Sequence, residues 1–354
     1  MSWEQKKYNE EEINNAGEIL KEINSTEEEI NDALIILNNW RAVHNYPMHI
    51  LQMRLKEKSA LIDKNSNVVQ RLKRTPAITF KLRRKFAGKK PSILLYEMQD
   101  IGGCRAILSS AKLINQLPPL LKGQSKHILI KTNDYITYPK VEDGYRSLHL
   151  IYSFVSDKQG KKEYNGLLTE IQIRSKLQNI WATAVEMMGS LTRTVIKAHE
   201  GDKNIIEFFK LVSSAFARME NCPLVPHTPL DEKSLYLRIK EIEKETNIIR
   251  LMENAINVGK VLEPEMKTKK NVKHFLVELD IVEKKLKIKS YTSREEEKAI
   301  KDYSEIEKKN RNNKNFDTVL IGADSFRNME RAYPNYFLDI KEFLDKIKDI
   351  IKKY

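Results

Sequence analysis

MQDIGGCRAIL at 98–108, DYITYPKVEDGYRSLH at 134–149 and EIQIRSKLQNIWATAVE at 170–186 decide the fold. Each sets one or two acidic or basic residues beside a short apolar run of strand texture, so charged side chains would meet at the edge of one sheet. Glu170, Gln172 and Arg174 recur with a period of two, which projects all three to one side of a strand. Asp100 opens another strand. Gly102 and Gly103 follow it and permit close backbone approach to a ligand, and Arg105 shares a face with Gly103.

From residue 92 the texture is short apolar runs between turn residues, with strands predicted at 101–108, 127–130, 147–154 and 167–173. Helices are predicted at 111–121 and 176–191, which makes a mixed sheet with helical cover and an α+β fold. The first 60 residues read as three helices: 9–24, a second opening at Ser25 or Thr26 with Glu28 and Glu29 in its first turn, and a third after Tyr46-Pro47. Further helices are predicted at 208–219 and 233–258, with a polar linker at 263–273. A small α/β unit follows: a strand at 274–280, a charged run at 281–309 holding a strand and a helix, apolar 318–321, a helix at 324–331, YPNYF at 333–337 and a last helix at 338–352. The expected organisation is a helical extension over 1–60, a catalytic core over 61–195, a helical linker over 196–265 and a small C-terminal domain over 266–354.

The chain has 354 residues, 41% hydrophobic and 31% charged, as in ordinary globular proteins. No run approaches the ~18 apolar residues of a membrane span. The first twelve residues are too acidic for a signal or transit peptide, so a cytoplasmic protein without a membrane partner is expected. The cysteines, Cys104 and Cys222, lie far apart with no CxxC, which supports neither a disulfide framework nor a Cys-based zinc site; both are expected to be buried thiols. The net charge of +13 favours a polyanionic partner, and it is unevenly spread. Residues 1–35 hold three lysines against ten acids, whereas 54–90 hold thirteen Lys or Arg against Glu57 and Asp63.

Neither G-x-x-x-x-G-K-[ST] nor a strand-following G-x-G-x-x-G occurs, so a nucleotide must be held by side-chain cations. Arg71, Lys73, Arg74, Lys81, Arg83 and Arg84 recur at short spacing, and a helix beginning near Pro76 would put Lys81 and Arg84 on one face. Phosphoryl chemistry needs a metal held by carboxylates, and Asp100 and Glu170 are the candidates. The loop 135–149 gathers aromatics with Lys140, Arg146 and His149 around Gly144, suited to stacking on a base and holding phosphates. Taken singly, Tyr145 reads as a packing tyrosine and His149 as a satisfied core histidine.

In order and spacing these motifs resemble, over about 60–190, the synthetase domain of the RelA/SpoT superfamily, small alarmone synthetases included. The resemblance implies a nucleotidyltransferase-like core that transfers the β,γ-pyrophosphate of ATP to the 3′-hydroxyl of an acceptor nucleotide and releases AMP. It implies that Arg71 and Arg105 sandwich the adenine, that Lys73, Lys81 and Arg84 hold the phosphates with Arg74 beside them, and that Asp100 binds Mg²⁺. Glu170 would share the metal or deprotonate the acceptor. Tyr145 would stack on the acceptor base, with Lys140, Arg146, His149, Gln172 and Asn179 in contact with the acceptor.

There are departures: Ala77 stands where a serine often serves ATP, and the spacing from Lys140 to Tyr145 is one residue longer than in many alarmone synthetases. The seven histidines form no His-Asp pair, so the family's metal-dependent alarmone hydrolase domain is not expected. Tyr333-Pro334-Asn335-Tyr336 resembles the YxxY element of CapRel-type fused toxin–antitoxins. That likeness implies a regulatory C-terminal domain that covers the ATP site through Tyr333 and Tyr336 until a phage protein releases it, and a toxin domain that modifies the 3′ CCA end of tRNA. The alternative acceptor is free GDP, GTP or an adenine nucleotide, giving an alarmone. An RNA-binding module on a decayed scaffold is a third reading, opposed by the presence of both Asp100 and Glu170.

Overall fold

The structure, a computed structural model, describes residues 3–22, 24–73, 75–83, 93–123, 125–191, 203–249, 252–253, 272–280, 285–292, 295, 298, 301–302, 305–306, 309, 316–322 and 334–354. Arg74, Arg84, Tyr333 and the helix expected at 324–331 lie outside the described residues. The chain forms two compact units, Met1–Thr137 with Ser147–Lys176, and Tyr138–Arg146 with Leu177–Tyr354.

In the first unit, α1 (Glu10–Lys21) and α2 (Glu27–Val43) both open on capping boxes, Asn9 with Glu12 and Thr26 with Glu29. Each box satisfies two backbone groups that a helix start otherwise leaves unpaired. Helix α3 (Asn45–Ile62) starts before Pro47, which sits in its first turn, where a missing N–H leaves no bond unmade. Then come β1 (Asn67–Leu72), α4 (Thr75–Arg83) and β2 (Gly102–Leu108). The helix expected at 111–121 is instead a 3-10 turn, Ala111–Gln116, followed by a fresh start, α5 (Leu117–Lys122). The cause is Pro118-Pro119, which suits a first helical turn and cannot continue an earlier helix. Strands β3 (Ile128–Asp134), β4 (Leu148–Ser153) and β5 (Leu168–Ser175) complete the unit, and β5 runs directly into α6 (Lys176–Leu191).

The five strands form one mixed sheet in the order β1-β2-β5-β4-β3. Strands β2 and β5 are parallel and the other pairs antiparallel. The α+β fold expected from the sequence is therefore present. The two faces of the sheet differ. Cys104, Ala106, Leu108, Leu148, Leu150, Tyr152, Ile171 and Ile173 alternate onto one face and bury against Met48, Leu51 and Leu55 of α3 and Ile114, Leu117 and Leu121. Each of the leucines and isoleucines contributes about 1.5–3 kcal/mol when fully buried, so this face sets the register of the sheet. A Cβ on Gly102 would lie 3.3 Å from His44 Cβ and 3.6 Å from Met48 Cβ, so a side chain there would hold β2 off α3. The opposite face carries the polar residues described below.

The second unit contains α7 (Lys203–Met219), α8 (Glu232–Thr246), the strands β6 (Val272–Asp280), β7 (Lys285–Thr292) and β8 (Phe316–Gly322), and α9 (Pro334–Lys353). The strands form an antiparallel sheet in the order β7-β6-β8. Helix α8 stops at Thr246 rather than running to 258, because Asn247 takes the left-handed conformation (φ 53°) that terminates helices. Ile340, Phe343, Leu344, Ile347 and Ile350 of α9 are buried, and the Phe343 ring lies 5.8 Å from Phe209 and 6.0 Å from Phe216 of α7.

Cys104 is buried, and burial pushes its thiol up to about 12. Cys222 is only half-buried, contrary to expectation, because it follows the exposed end of α7. No helix among the described residues is long and apolar enough to cross a membrane.

Candidate active site

The β1–β2 ladder extends one step past β1, where the Lys73 N–H donates to the Ile101 carbonyl at 2.8 Å. Arg41 of α2 holds the turn into α4, its Nε donating to the Lys73 carbonyl (2.9 Å) and its Nη1 to Thr75 Oγ1 (3.2 Å). Helix α4 buries Ile78 and Leu82, which fixes the rotation that carries Lys81. Asp100 lies in the turn before β2. Lys73 Nζ sits 2.8 Å from its Oδ2 and Lys81 Nζ 2.8 Å from its Oδ1. Burial raises the Asp100 carboxyl, but the two ammonium groups outweigh it and hold the pKa at about 2.

The sheet register sets Gly103 between Arg71 and Glu170, and Gln172 between Arg105 and His149. Residues directly opposite one another share a face, so these side chains form one polar surface. A Cβ at Gly103 would meet only ordinary contacts, Glu170 O at 3.5 Å and Arg71 O at 3.8 Å. The packing leaves room there, and the glycine keeps the backbone open to a ligand.

Both oxygens of Glu170 are engaged. His149 Nδ1 lies 2.9 Å from Oε1, and Gln172 Nε2 donates to Oε2 at 2.7 Å. The Gln172 amide is itself oriented, since Arg105 Nε (3.3 Å) and Arg174 Nη2 (3.1 Å) both donate to its Oε1. Burial raises the Glu170 carboxyl and the Asp100 charge adds to that, but the hydrogen bonds and charge of His149 with the Gln172 amide prevail and lower it. Glu170 is therefore ionised at neutral pH, in contact with an imidazole whose ring meets Tyr135 edge-on at 5.2 Å. An ionised, oriented carboxylate beside an imidazole is equipped to take a proton from a hydroxyl. Arg71 is exposed on β1.

In the second unit, Lys140, Tyr145 and Arg146 belong to one tight loop, closed by bonds from Lys140 N to Tyr145 O (3.2 Å) and from Gly144 N to Lys140 O (2.8 Å). Tyr145 is buried, with Lys140 Nζ 5.3 Å over its ring. Arg146 is buried too, its Nε donating to Ser213 Oγ (3.0 Å) and its Nη2 to the Pro223 carbonyl (2.6 Å). Ser213 Oγ donates in turn to the Gly144 carbonyl at 2.6 Å. Gly144 has φ +79°, and a Cβ there would meet Ser213 Cβ at 3.0 Å and Lys210 Cα at 3.1 Å, so the position requires glycine twice over. Asn179, on α6, donates from Nδ2 to Asp339 Oδ2 of α9 at 2.7 Å. Tyr336 lies in the first turn of α9.

Sequence reasoning identifies the acids and cations but not the His149–Glu170 pair, the Arg41 brace or Asp339. Only the spacing of His149 from Glu170 on neighbouring predicted strands hints at the first. The other two are contacts between segments with no local signal.

Mg²⁺ typically keeps several waters and takes one or two carboxylates together with substrate phosphates. Asp100 and Glu170 fit that donor set, being hard oxygen ligands, both ionised, with the Asp100 charge felt at Glu170. Among the described residues no group of three or more His, Cys, Asp or Glu could hold a metal ion by itself.

Residues 70–188, from β1 into α6, match the family described as the region found in RelA/SpoT proteins. Two curated Bacillus subtilis proteins are similar: GTP pyrophosphokinase YwaC, 34% identical over 113 residues, and GTP pyrophosphokinase YjbM, 36% identical over 120. The matches cover 32% and 33% of this chain and 52% of each relative, so the chain spans about half the length of the curated relatives it matches. Among solved structures, small alarmone synthetase 1 from Bacillus subtilis is 24% identical with a TM-score of 0.41, covering 50% of this chain and 87% of that one. The same enzyme bound to its product pppGpp gives 23% identity and a TM-score of 0.43, covering 52% and 93%.

Proposed function

We propose that this protein is an ATP-dependent pyrophosphokinase, which transfers the β,γ-pyrophosphate of ATP to a nucleotide 3′-hydroxyl. The observation that carries the reading is the pairing of two ionised carboxylates, Asp100 under two lysines and Glu170 beside His149, within a region that matches RelA/SpoT proteins. Lys73 and Lys81 exchange Asp100 for the ATP phosphates, and Arg71 and Arg105 take the adenine. Asp100 and Glu170 would hold Mg²⁺, which would supply charge neutralisation on the phosphates. Glu170 takes the proton of the acceptor hydroxyl, whose oxygen bonds to the β-phosphorus as the bond to the α,β-bridging oxygen breaks and AMP departs with that oxygen. Positioning and charge stabilisation account for most of the acceleration in such transfers.

For the acceptor we propose the 3′ CCA end of tRNA, with Tyr145 and Asn179 among the residues that hold it. Support comes from the net charge of +13 and the basic run at 54–90, suited to a phosphate backbone. A free guanine nucleotide is the second reading, favoured by the names of the two curated relatives. Incubation with γ-³²P-ATP, Mg²⁺ and either bulk tRNA or GDP and GTP separates the two by where the label ends. Absence of both labelled product and AMP defeats the pyrophosphokinase reading. The finer proposal, a translation-blocking toxin restrained by residues 266–354 through Tyr333 and Tyr336 and released by a phage protein, expects Tyr336→Ala to raise basal transfer. Unchanged transfer in that variant defeats the restraint.

A further inference from the structure

Two neighbouring residues of α2 reach the two sides of the Lys73–Asp100 ion pair. On one side, Trp40 is buried and its ring stacks on Tyr96 at 4.9 Å, with an interplanar angle of 18°. Tyr96 belongs to the loop that ends in Asp100, and Leu95, Met98 and Ile101 around it are buried in the same cluster as Trp40. Lys6 Nζ covers both rings, 5.6 Å from the Trp40 centroid and 4.8 Å from that of Tyr96, and the Tyr96 N–H donates to Asn14 Oδ1 of α1 at 3.0 Å. On the other side is Arg41. Its Nη1 donates to Asn38 Oδ1, one turn back on its own helix, at 3.1 Å, which orients the guanidinium toward the turn it grips. The backbone of Lys73 is then fixed at both polar groups, its N–H on the Ile101 carbonyl (2.8 Å) and its carbonyl on Arg41 Nε (2.9 Å).

A lysine carries its charge on a flexible four-carbon stem, so the resting place of the ammonium depends on how firmly the backbone beneath it is held. Lys73 and Lys81 bring two positive charges to the single carboxylate of Asp100 and leave 20% and 34% of their side-chain surface open. That half-open excess of positive charge suits an incoming anion. A cation aimed in advance loses less freedom when the anion arrives.

We propose that Arg41 is a positioning residue for the ATP phosphates: acting through Lys73, it makes the helical extension over 1–60 a working part of the nucleotide site. This rests on the reading of Lys73 as a phosphate-binding cation.

The test is the affinity of the full chain for AMPCPP with Mg²⁺, an ATP analogue whose α,β bridge cannot break. Isothermal titration calorimetry compares the parent, Arg41→Met, Lys73→Met and the double variant, with the KM for ATP in transfer standing in where binding is too weak for heat. Arg41→Met is expected to weaken AMPCPP binding about fivefold while the acceptor KM stays within about twofold. Because Arg41 acts through Lys73, adding Arg41→Met to Lys73→Met is expected to cost less than about twofold more. A brace that serves only the fold predicts the same further loss in both backgrounds. Should Arg41→Met fail to fold, Arg41→Gln, shorter than arginine and still polar beside Asn38, carries the same expectation. Unchanged AMPCPP affinity in Arg41→Met, a full loss repeated in the Lys73→Met background, or an acceptor KM that rises as much as that for ATP would overturn the positioning role. A parent that neither binds AMPCPP nor releases AMP from ATP defeats the functional reading, and the role of Arg41 falls with it. A parent that binds AMPCPP beside an Arg41→Met variant that binds it equally defeats the positioning role alone.

Discussion

The Asp100 corner of the first unit and the Gly144–Arg146 loop of the second unit are alike in sequence: cations and glycines near the end of a strand. Their environments differ. Lys73 and Lys81 face a carboxylate and keep 20% and 34% of their side-chain surface exposed. Arg146 is 3% exposed and answered by a serine hydroxyl and a backbone carbonyl. Burial pulls the Arg146 guanidinium down to about 10, whereas the lysines drive Asp100 down against its burial. A cation paired to a half-open carboxylate can be handed to a phosphate. One that closes a loop onto a buried helix cannot leave without orphaning its partners. Residue type and a nearby glycine therefore do not distinguish a half-open cation from an enclosed one.

The largest expected effect breaks the catalytic side of the contrast. Glu170→Gln should lower transfer by about a thousandfold or more while the thermal midpoint stays near that of the parent; retention of a tenth of parental activity would remove Glu170 from the chemistry. Next, Arg146→Met should cost about 3 kcal/mol of stability in urea unfolding, because Ser213 and the Pro223 carbonyl lose a buried partner. A midpoint equal to the parent's would show that the loop does not depend on it.

Acid unfolding sharpens the other side. The folded pKa of Asp100 is lowered from 3.8 to about 2, so its contribution, about 2 kcal/mol, is present above the unfolded pKa and lost as pH falls from about 4 through 2. Lys73→Met should shift that loss to higher pH, and an unshifted acid limb would refute the pairing. The smallest effect is on ATP. Lys73→Met should raise its KM about tenfold and lower neutral-pH stability by about 1 kcal/mol, less than Arg146→Met, because Lys81 still faces Asp100.

Much of the fold is legible locally. Strands β2, β4 and β5 announce themselves as apolar runs, and the capping boxes of α1 and α2 are written in four residues each. Strand β1 carries no such signal, because NVVQRL is half-exposed at the sheet edge within a basic run and lacks a clean alternation. The end of α8 is hidden in the sequence because Asn247 is compatible with a helix until its backbone turns left-handed. Asp100 and Glu170 stand out as acids beside strands. That Glu170 is held by His149 and by an amide oriented through Arg105 and Arg174 depends on three strands pairing in one register.

By itself the sequence determined the alternation that makes a two-faced sheet and the supply of carboxylates and cations along it, because periodicity and residue type are local properties. Only the tertiary structure decided which cation meets Asp100, that Arg146 is enclosed while Lys81 is not, and that Asp339 takes the Asn179 amide. Those outcomes turn on burial and on partners up to 160 residues away in the chain, and local sequence carries no record of the dielectric or the neighbours that a side chain will find.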